Sequence, residues 1–282
     1  MKLSSQRLKD YLPEHPAKTY DSVGCCIYCG NNTDLSDEHI IPYGFGGRMV
    51  LPQSSCESCS GLTSEFERTC LRTMFGPLRM LYDLPSRRRK DRPKTLLLKV
   101  KYKPGDDWTR LPVNREEYPF LVLFPYFVMP DLLSGYETAS NRGAVAKKFW
   151  IRGASVARGF FENMNDLIAD LGVHAVMPEA DAQVDAFCLM LAKIGHAYAV
   201  AELGNGNFEP LLLDLILKKD LSNRADFIGG LNYDEAPLNS LHELSLDDHT
   251  CNRPNLVSVR VRFLSKLGTP TYYVVAGRHQ KL

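Results

Sequence analysis

Four cysteines stand in two short pairs, Cys26-Ile27-Tyr28-Cys29 and Cys56-Glu57-Ser58-Cys59, with residues 30–55 between them. A CxxC turn presents two thiolates to one side of a metal ion, and a second such turn closes a tetrahedral shell around zinc. Four thiolates leave no coordination position open, so zinc held this way is structural. Gly30, Asn31 and Asn32 are the residue types that the tight turn of such a knuckle favours. Cys25 is a weaker alternative to Cys26, because it would make a CxxxC pair. Cys70, Cys188 and Cys251 stand alone and read as core thiols. In a unit of about 50 residues the ion is expected to supply much of the folding free energy, since so small a core buries little apolar surface.

Between the pairs lies Asp37-Glu38-His39-Ile40-Ile41-Pro42, followed by Gly46-Gly47. The ordered set of CxxC, EHIIP, GG and a CxxC opening a helix resembles the HNH endonucleases, in the branch with a zinc-bound ββα-metal core. The resemblance covers about Cys26–Cys70. It implies that His39 is the general base: a neutral imidazole takes a proton from water and activates it for attack on phosphorus. It also implies that Glu38 holds a catalytic divalent metal, magnesium or manganese, which neutralises the pentavalent phosphate and the leaving 3′ oxygen. Neighbours on a strand point to opposite faces, so Glu38 and His39 converge only if the strand twists or ends there.

The chain departs from the pattern on its helix. Ser60 stands where many such proteins carry His or Asn, and no Asn occupies Leu51–Gln53, where Gln53 is the only amide. Some proteins of this branch instead resemble Thr63-Ser64-Glu65-Phe66-Glu67. Ser60 and Glu67 are seven apart and share a helical face with Thr63 and Ser64, so Ser60 and Glu67 join Glu38 as candidates for the catalytic metal. Glu67 reads equally as a solvated helix position or an ion-pair partner. Asp37 is expected to cap or orient the strand, and Gly46 and Gly47 to serve loop geometry.

These residues need elements to position them. Glu38–Ile41 reads as a strand limited by Pro42, and Met49–Leu51 as the returning strand. From Ser58 the spacing turns helical, with Leu62, Phe66, Thr69 and Met74 on one face and Glu65, Arg68 and Arg72 toward water. Ser5–Tyr11 reads as a short helix. Farther on, Leu96–Tyr102 and Phe120–Val128 look like strands, Asp181–Glu202 an amphipathic helix, and Phe208–Leu217 its continuation or partner. Leu256–Leu264 and Thr271–Ala276 form a terminal hairpin. The expected fold class is α+β. Residues 1–23 lead in, 24–85 form the zinc-bound nuclease-like module, 86–95 a basic linker, and 96–282 a larger α+β domain that selects the substrate.

Arg87, Arg88, Arg89, Lys90 and Arg92 in that linker are candidates for phosphate contacts, although a charge run is equally a solvated linker. Lys147–Arg152 mixes cations with aromatics and reads as a strand edge. His196 reads as structural, and Asp247-Asp248-His249 as a polar loop. The chain has 282 residues, 44% hydrophobic, and a formal charge of +1. Any nucleic-acid contact, to DNA before RNA, must therefore come from a local patch. No run of about 18 apolar residues suggests a membrane span. Eight cysteines without an apolar leader fit a reducing, cytoplasmic setting. The expected activity is hydrolysis of phosphodiesters with structural zinc and a catalytic divalent ion. The alternative is a zinc-bound nucleic-acid-binding or protein-interaction module without catalysis.

Overall fold

The computed structural model describes residues 13–87, 89–115, 117–119, 121–134, 149–154, 160–231, 233, 235–247 and 255–280. The expected helix at Ser5–Tyr11 lies outside them, as do Arg88, Lys147, Lys148, Asp248, His249 and Cys251.

The first sheet has the order β1-β3-β2, formed by Lys18–Thr19 (β1), Leu35–His39 (β2) and Met49–Cys56 (β3). β2 and β3 run antiparallel, with Glu38 opposite Leu51 and His39 opposite Val50. β2 stops at His39, earlier than the apolar run suggests, because Pro42 opens a 3-10 turn over Tyr43–Phe45. β3 runs on to Cys56, well past the expected Leu51. The register shifts between Ser36 and Glu38, and Gln53 adopts a left-handed φ of 48° in the opposing strand. The Gln53 amide donates to Asp37 Oδ1 at 3.2 Å, so Asp37 braces this irregularity. A Cβ on Gly47 would lie 1.9 Å from the Ile41 carbonyl oxygen, so only glycine lets the Tyr43–Gly47 loop fold back this closely.

Helix α1 (Glu57–Thr69) follows β3 directly and buries Cys59, Thr63 and Phe66. Glu65, Arg68 and Arg72 are exposed, as the spacing predicts. A π-helical turn at Cys70–Met74 and a short helix α2 (Gly76–Leu81) complete this region. Across 86–95 the chain makes a 3-10 turn at Arg89–Asp91, and Arg92 returns to pair with Asp83 at 2.6 Å and with the Leu84 carbonyl.

Beyond it, β4 (Thr95–Lys101), β5 (Thr109–Asn114) and β8 (Ala175–Met177) form a sheet of order β5-β4-β8. Leu98, Val100 and Val113 of that sheet share a small core with Leu167 of α3 (Phe160–Leu171). β6 (Val122–Phe127) pairs with β7 (Phe149–Ala154), which places the 149–152 part of the cationic-aromatic run on a strand. The predicted C-terminal hairpin is present as β12 (Leu256–Phe263) and β13 (Thr271–His279), with Val259 opposite Val274. They lie in the order β10-β13-β12-β11, with β10 at Ile228–Gly230 and β11 at His242–Leu246; β9 (Phe208–Pro210) also pairs with β13. Phe208–Leu217 thus splits into β9 and a short helix, α5 (Leu213–Lys218), preceded by α4 (Val184–Leu203).

The prediction of an amphipathic helix over Asp181–Glu202 is overturned in one respect. α4 is buried continuously from Phe187 to Val200. It lies between α1 on one side and β12 and β13 on the other, so no face is left for water. By length and composition alone this helix would pass for a membrane span, as buried core helices do; here it is packed inside the fold. One hydrophobic core therefore runs from Cys26, Tyr28, Ile40 and Phe66 through Phe187 and Ile194 to Val259 and Phe263.

Two buried histidines tie the first sixty residues to the rest. His196 Nε2 meets the Ile27 carbonyl at 2.8 Å, and His242 Nε2 meets the Phe45 carbonyl at 2.7 Å. His242 Nδ1 accepts from the Leu264 amide, so Nε2 carries the proton and the ring is neutral. Burial lowers His196 from 6.5 to about 4; burial, then His15, lowers His242 to about 3. Between these values and 6.5 the unfolded chain binds more protons than the folded one. Stability is therefore expected to fall as pH drops from 6.5 toward 4. Imidazole NMR signals of His196 and His242 that titrate near 6.5 in the folded protein would show that these rings are not held neutral.

Candidate metal centre and buried carboxylate pair

The Sγ atoms of Cys26, Cys29, Cys56 and Cys59 all lie within 4.8 Å of one another. Cys29 Sγ and Cys56 Sγ are 3.6 Å apart. A disulfide needs about 2.05 Å, whereas the edge of a tetrahedron with zinc–sulfur bonds of about 2.3 Å is about 3.8 Å. The spacing is that of metal ligands.

Local chemistry builds this arrangement. The Gly30 amide donates to the Cys26 carbonyl at 2.8 Å, with Gly30 in the left-handed region at φ 78°. The Ile27 amide donates to Ser54 at 2.9 Å, docking the knuckle on β3. Cys56 ends β3, and Cys59 lies in the first turn of α1. The Cys59 amide donates to the Cys56 sulfur, which with the neighbouring thiols holds Cys56 down to about 7, while burial pushes Cys59 up. Cys25 is not in the cluster; its sulfur accepts from Asn205 Nδ2 at 3.2 Å. The four cysteines thus form a site compatible with structural zinc.

Glu38 and Glu67, far apart in sequence, do come together, on a lysine. Lys193 Nζ of α4 lies 2.5 Å from Glu38 Oε1 and 2.8 Å from Glu67 Oε1. It also donates to the backbone carbonyls of His39 and Ile40, the latter at 3.2 Å. The side chain of Lys193 is 1% exposed and that of Glu38 8%. Burial opposes the Lys193 charge, but the two carboxylates outweigh it and hold the ammonium above its ordinary value. Burial raises the Glu67 carboxyl, against the pull of Lys193. The Tyr28 phenol, buried beside both carboxylates, is also raised, by burial first and then by their charges.

His39 takes the other side of the strand. It is half-buried, and its ring meets that of Tyr43 edge-on at 5.6 Å. Burial, then the Lys193 charge, lowers its pKa; the Glu38 carboxylate opposes this, and Arg87 adds to the lowering. The imidazole is therefore neutral at pH 7. Along β2 the alternation of the strand leaves Glu38 buried against Lys193 and His39 half-buried.

Among the remaining candidates, Ser60 is half-buried in the first turn of α1, where its carbonyl accepts from Thr63. Its hydroxyl takes no part in the Lys193 cluster. Arg87 and Lys90 are exposed, whereas Arg92 is engaged by Asp83 and Leu84. Gln53 accepts from the Ser22 hydroxyl at 2.9 Å and supports the hairpin.

Lys193 is the residue that the sequence reading missed. The one available signal was a lone cation inside the apolar run Phe187–Val200. Glu38 and Glu67 offer oxygens of the kind a divalent ion takes, but such an ion does not fit between them as the site stands, because an ammonium already lies there. No protein-family model, curated protein or solved structure matches the chain.

Proposed function

We propose that this protein is a nuclease of HNH type that hydrolyses phosphodiesters, with DNA the first substrate to test. The observation that carries the reading is the placement of His39. It ends the first strand of a β2-β3-α1 unit whose four cysteines cluster at metal-binding distances, and its half-buried ring is neutral at pH 7. A neutral imidazole there takes a proton from water, whose oxygen bonds to phosphorus as the bond to the 3′ oxygen breaks and that oxygen takes a proton from solvent. Arg87, exposed and close enough for its charge to act on His39, supplies a partner for the phosphate. The HNH resemblance adds magnesium or manganese at Glu38. With Glu38 and Glu67 both held by Lys193, no step of this mechanism is routed through that ion.

The test is plasmid nicking by the zinc-loaded protein, with and without added divalent ions. His39→Ala is expected to lower the rate by about 10²–10⁴-fold, the usual worth of a general base. Its zinc content should be unchanged, since His39 is not among the four clustered ligands. Equal rates in the two proteins would remove His39 from the mechanism.

A second reading is favoured by one observation, the capture of both carboxylates by Lys193. In it the module binds nucleic acid without cutting. DNA binding that weakens with salt, together with no nicking under any metal, selects this reading.

A further inference from the structure

The surroundings of Lys193 are those of a bound cation rather than of a single salt bridge. Four oxygens approach its Nζ: one from each of Glu38 and Glu67, and the backbone carbonyls of His39 and Ile40. An ammonium has only three protons to donate. Two carboxylates with two carbonyls make the all-oxygen donor set that hard cations such as magnesium and calcium prefer. Three of these four residues, Glu38, His39 and Ile40, belong to the EHIIP segment, and the fourth is on α1. The cation itself arrives from α4, the helix at the centre of the fold. The side chains are 1% exposed for Lys193, 8% for Glu38 and 17% for Glu67, so the ammonium itself is shielded from solvent while the Glu67 end is partly open.

We infer that the Lys193 ammonium is the resident cation of the Glu38–Glu67 site, occupying the position that the HNH resemblance gives to a divalent metal, so that the native chain takes no magnesium or manganese there. Lys193 is a positioning residue: it draws both carboxylates inward and fixes the carbonyls at the end of β2, from which His39 projects. The inference rests on the nuclease reading for the expectation of a metal, but not for its test.

The probe is Mn²⁺, titrated into the zinc-loaded full-length protein and followed by the paramagnetic resonance signal of the free ion. The wild type and Glu38→Gln should leave the free-ion signal equally intact. Lys193→Ala should take up one Mn²⁺ per chain, and Lys193→Ala with Glu67→Gln should lose that uptake. Wild-type uptake that Glu38→Gln abolishes would overturn the inference, as would a folded Lys193→Ala protein that takes up none. Should Lys193→Ala fail to fold, the wild type labelled with ¹⁵N-lysine decides. A protected Nζ resonance that persists in excess Mn²⁺ supports the inference; its absence, or its selective broadening, overturns it. Neither readout uses cleavage, so a protein that cuts no substrate can still pass, and an active nuclease can still fail.

Discussion

Cys56→Ser is expected to abolish zinc binding by the four-cysteine cluster and to open the first half of the chain to proteases. Structural zinc contributes an apparent binding free energy of about 10–16 kcal/mol in small metal-dependent units. Losing one of four thiolates sacrifices a large part of that, against a total stability of about 5–15 kcal/mol for a typical domain. The damage should not stop at the knuckle. Cys26, Cys56 and Cys59 belong to the same buried core as Phe66 and Phe187, and the Ile27 carbonyl holds His196 of α4. Loosening the knuckle therefore frees one face of the central helix. Zinc content by elemental analysis should fall from one per chain toward zero, and trypsin should cut within residues 24–75 at concentrations that leave the wild type intact. Full zinc retention with an unchanged digestion pattern would refute the four-thiolate site.

Lys193→Met is the second large effect. It leaves two buried carboxylates facing one another without a counter-charge, and breaking a buried pair in this way costs about 3–5 kcal/mol. The carbonyls of His39 and Ile40 also lose a donor. Making all three side chains neutral, as Lys193→Met with Glu38→Gln and Glu67→Gln, removes the uncompensated charge and should restore most of the loss. Urea unfolding of the single and triple variants separates a charge effect from a packing effect; equal destabilisation of both would mean that packing alone is at stake. The pH dependence has a definite sign. Buried acids with raised pKa values bind protons more readily in the folded state, so the single variant should recover stability as pH falls and lose it as pH rises. In the wild type Glu67 already leans this way.

How much of the site is legible before folding depends on the distance over which each feature is decided. The CxxC turns, the strand ending near Pro42 and the helix opening after Cys56 are settled by neighbours within a few residues, and each lies close to where its spacing places it. The β12–β13 hairpin is likewise local. Glu67 shows the limit. On a helix, a carboxylate seven residues after Ser60 reads equally as a metal ligand or an ion-pair partner. The choice between them belongs to a side chain more than a hundred residues away.

α4 makes the same point from the other side. Its composition suggested a helix with one wet face, because charged residues occur along it. Whether a face is wet depends on what packs against it, and here α1 covers one side while β12 and β13 cover the other. Lys193 is tolerated in that core only because Glu38, Glu67 and two carbonyls meet it there.

By itself, the sequence determined which four sulfurs can share a metal and that His39 stands between them, because both follow from residue type and short spacing. Tertiary structure alone decided what surrounds the carboxylates. α4 carries its ammonium into the space between β2 and α1, and only the folded chain brings those three elements together. The four-cysteine cluster is thus a property of local turns. The charge beneath His39 is a property of the whole fold, because a buried cation takes its meaning from partners that no local spacing can name.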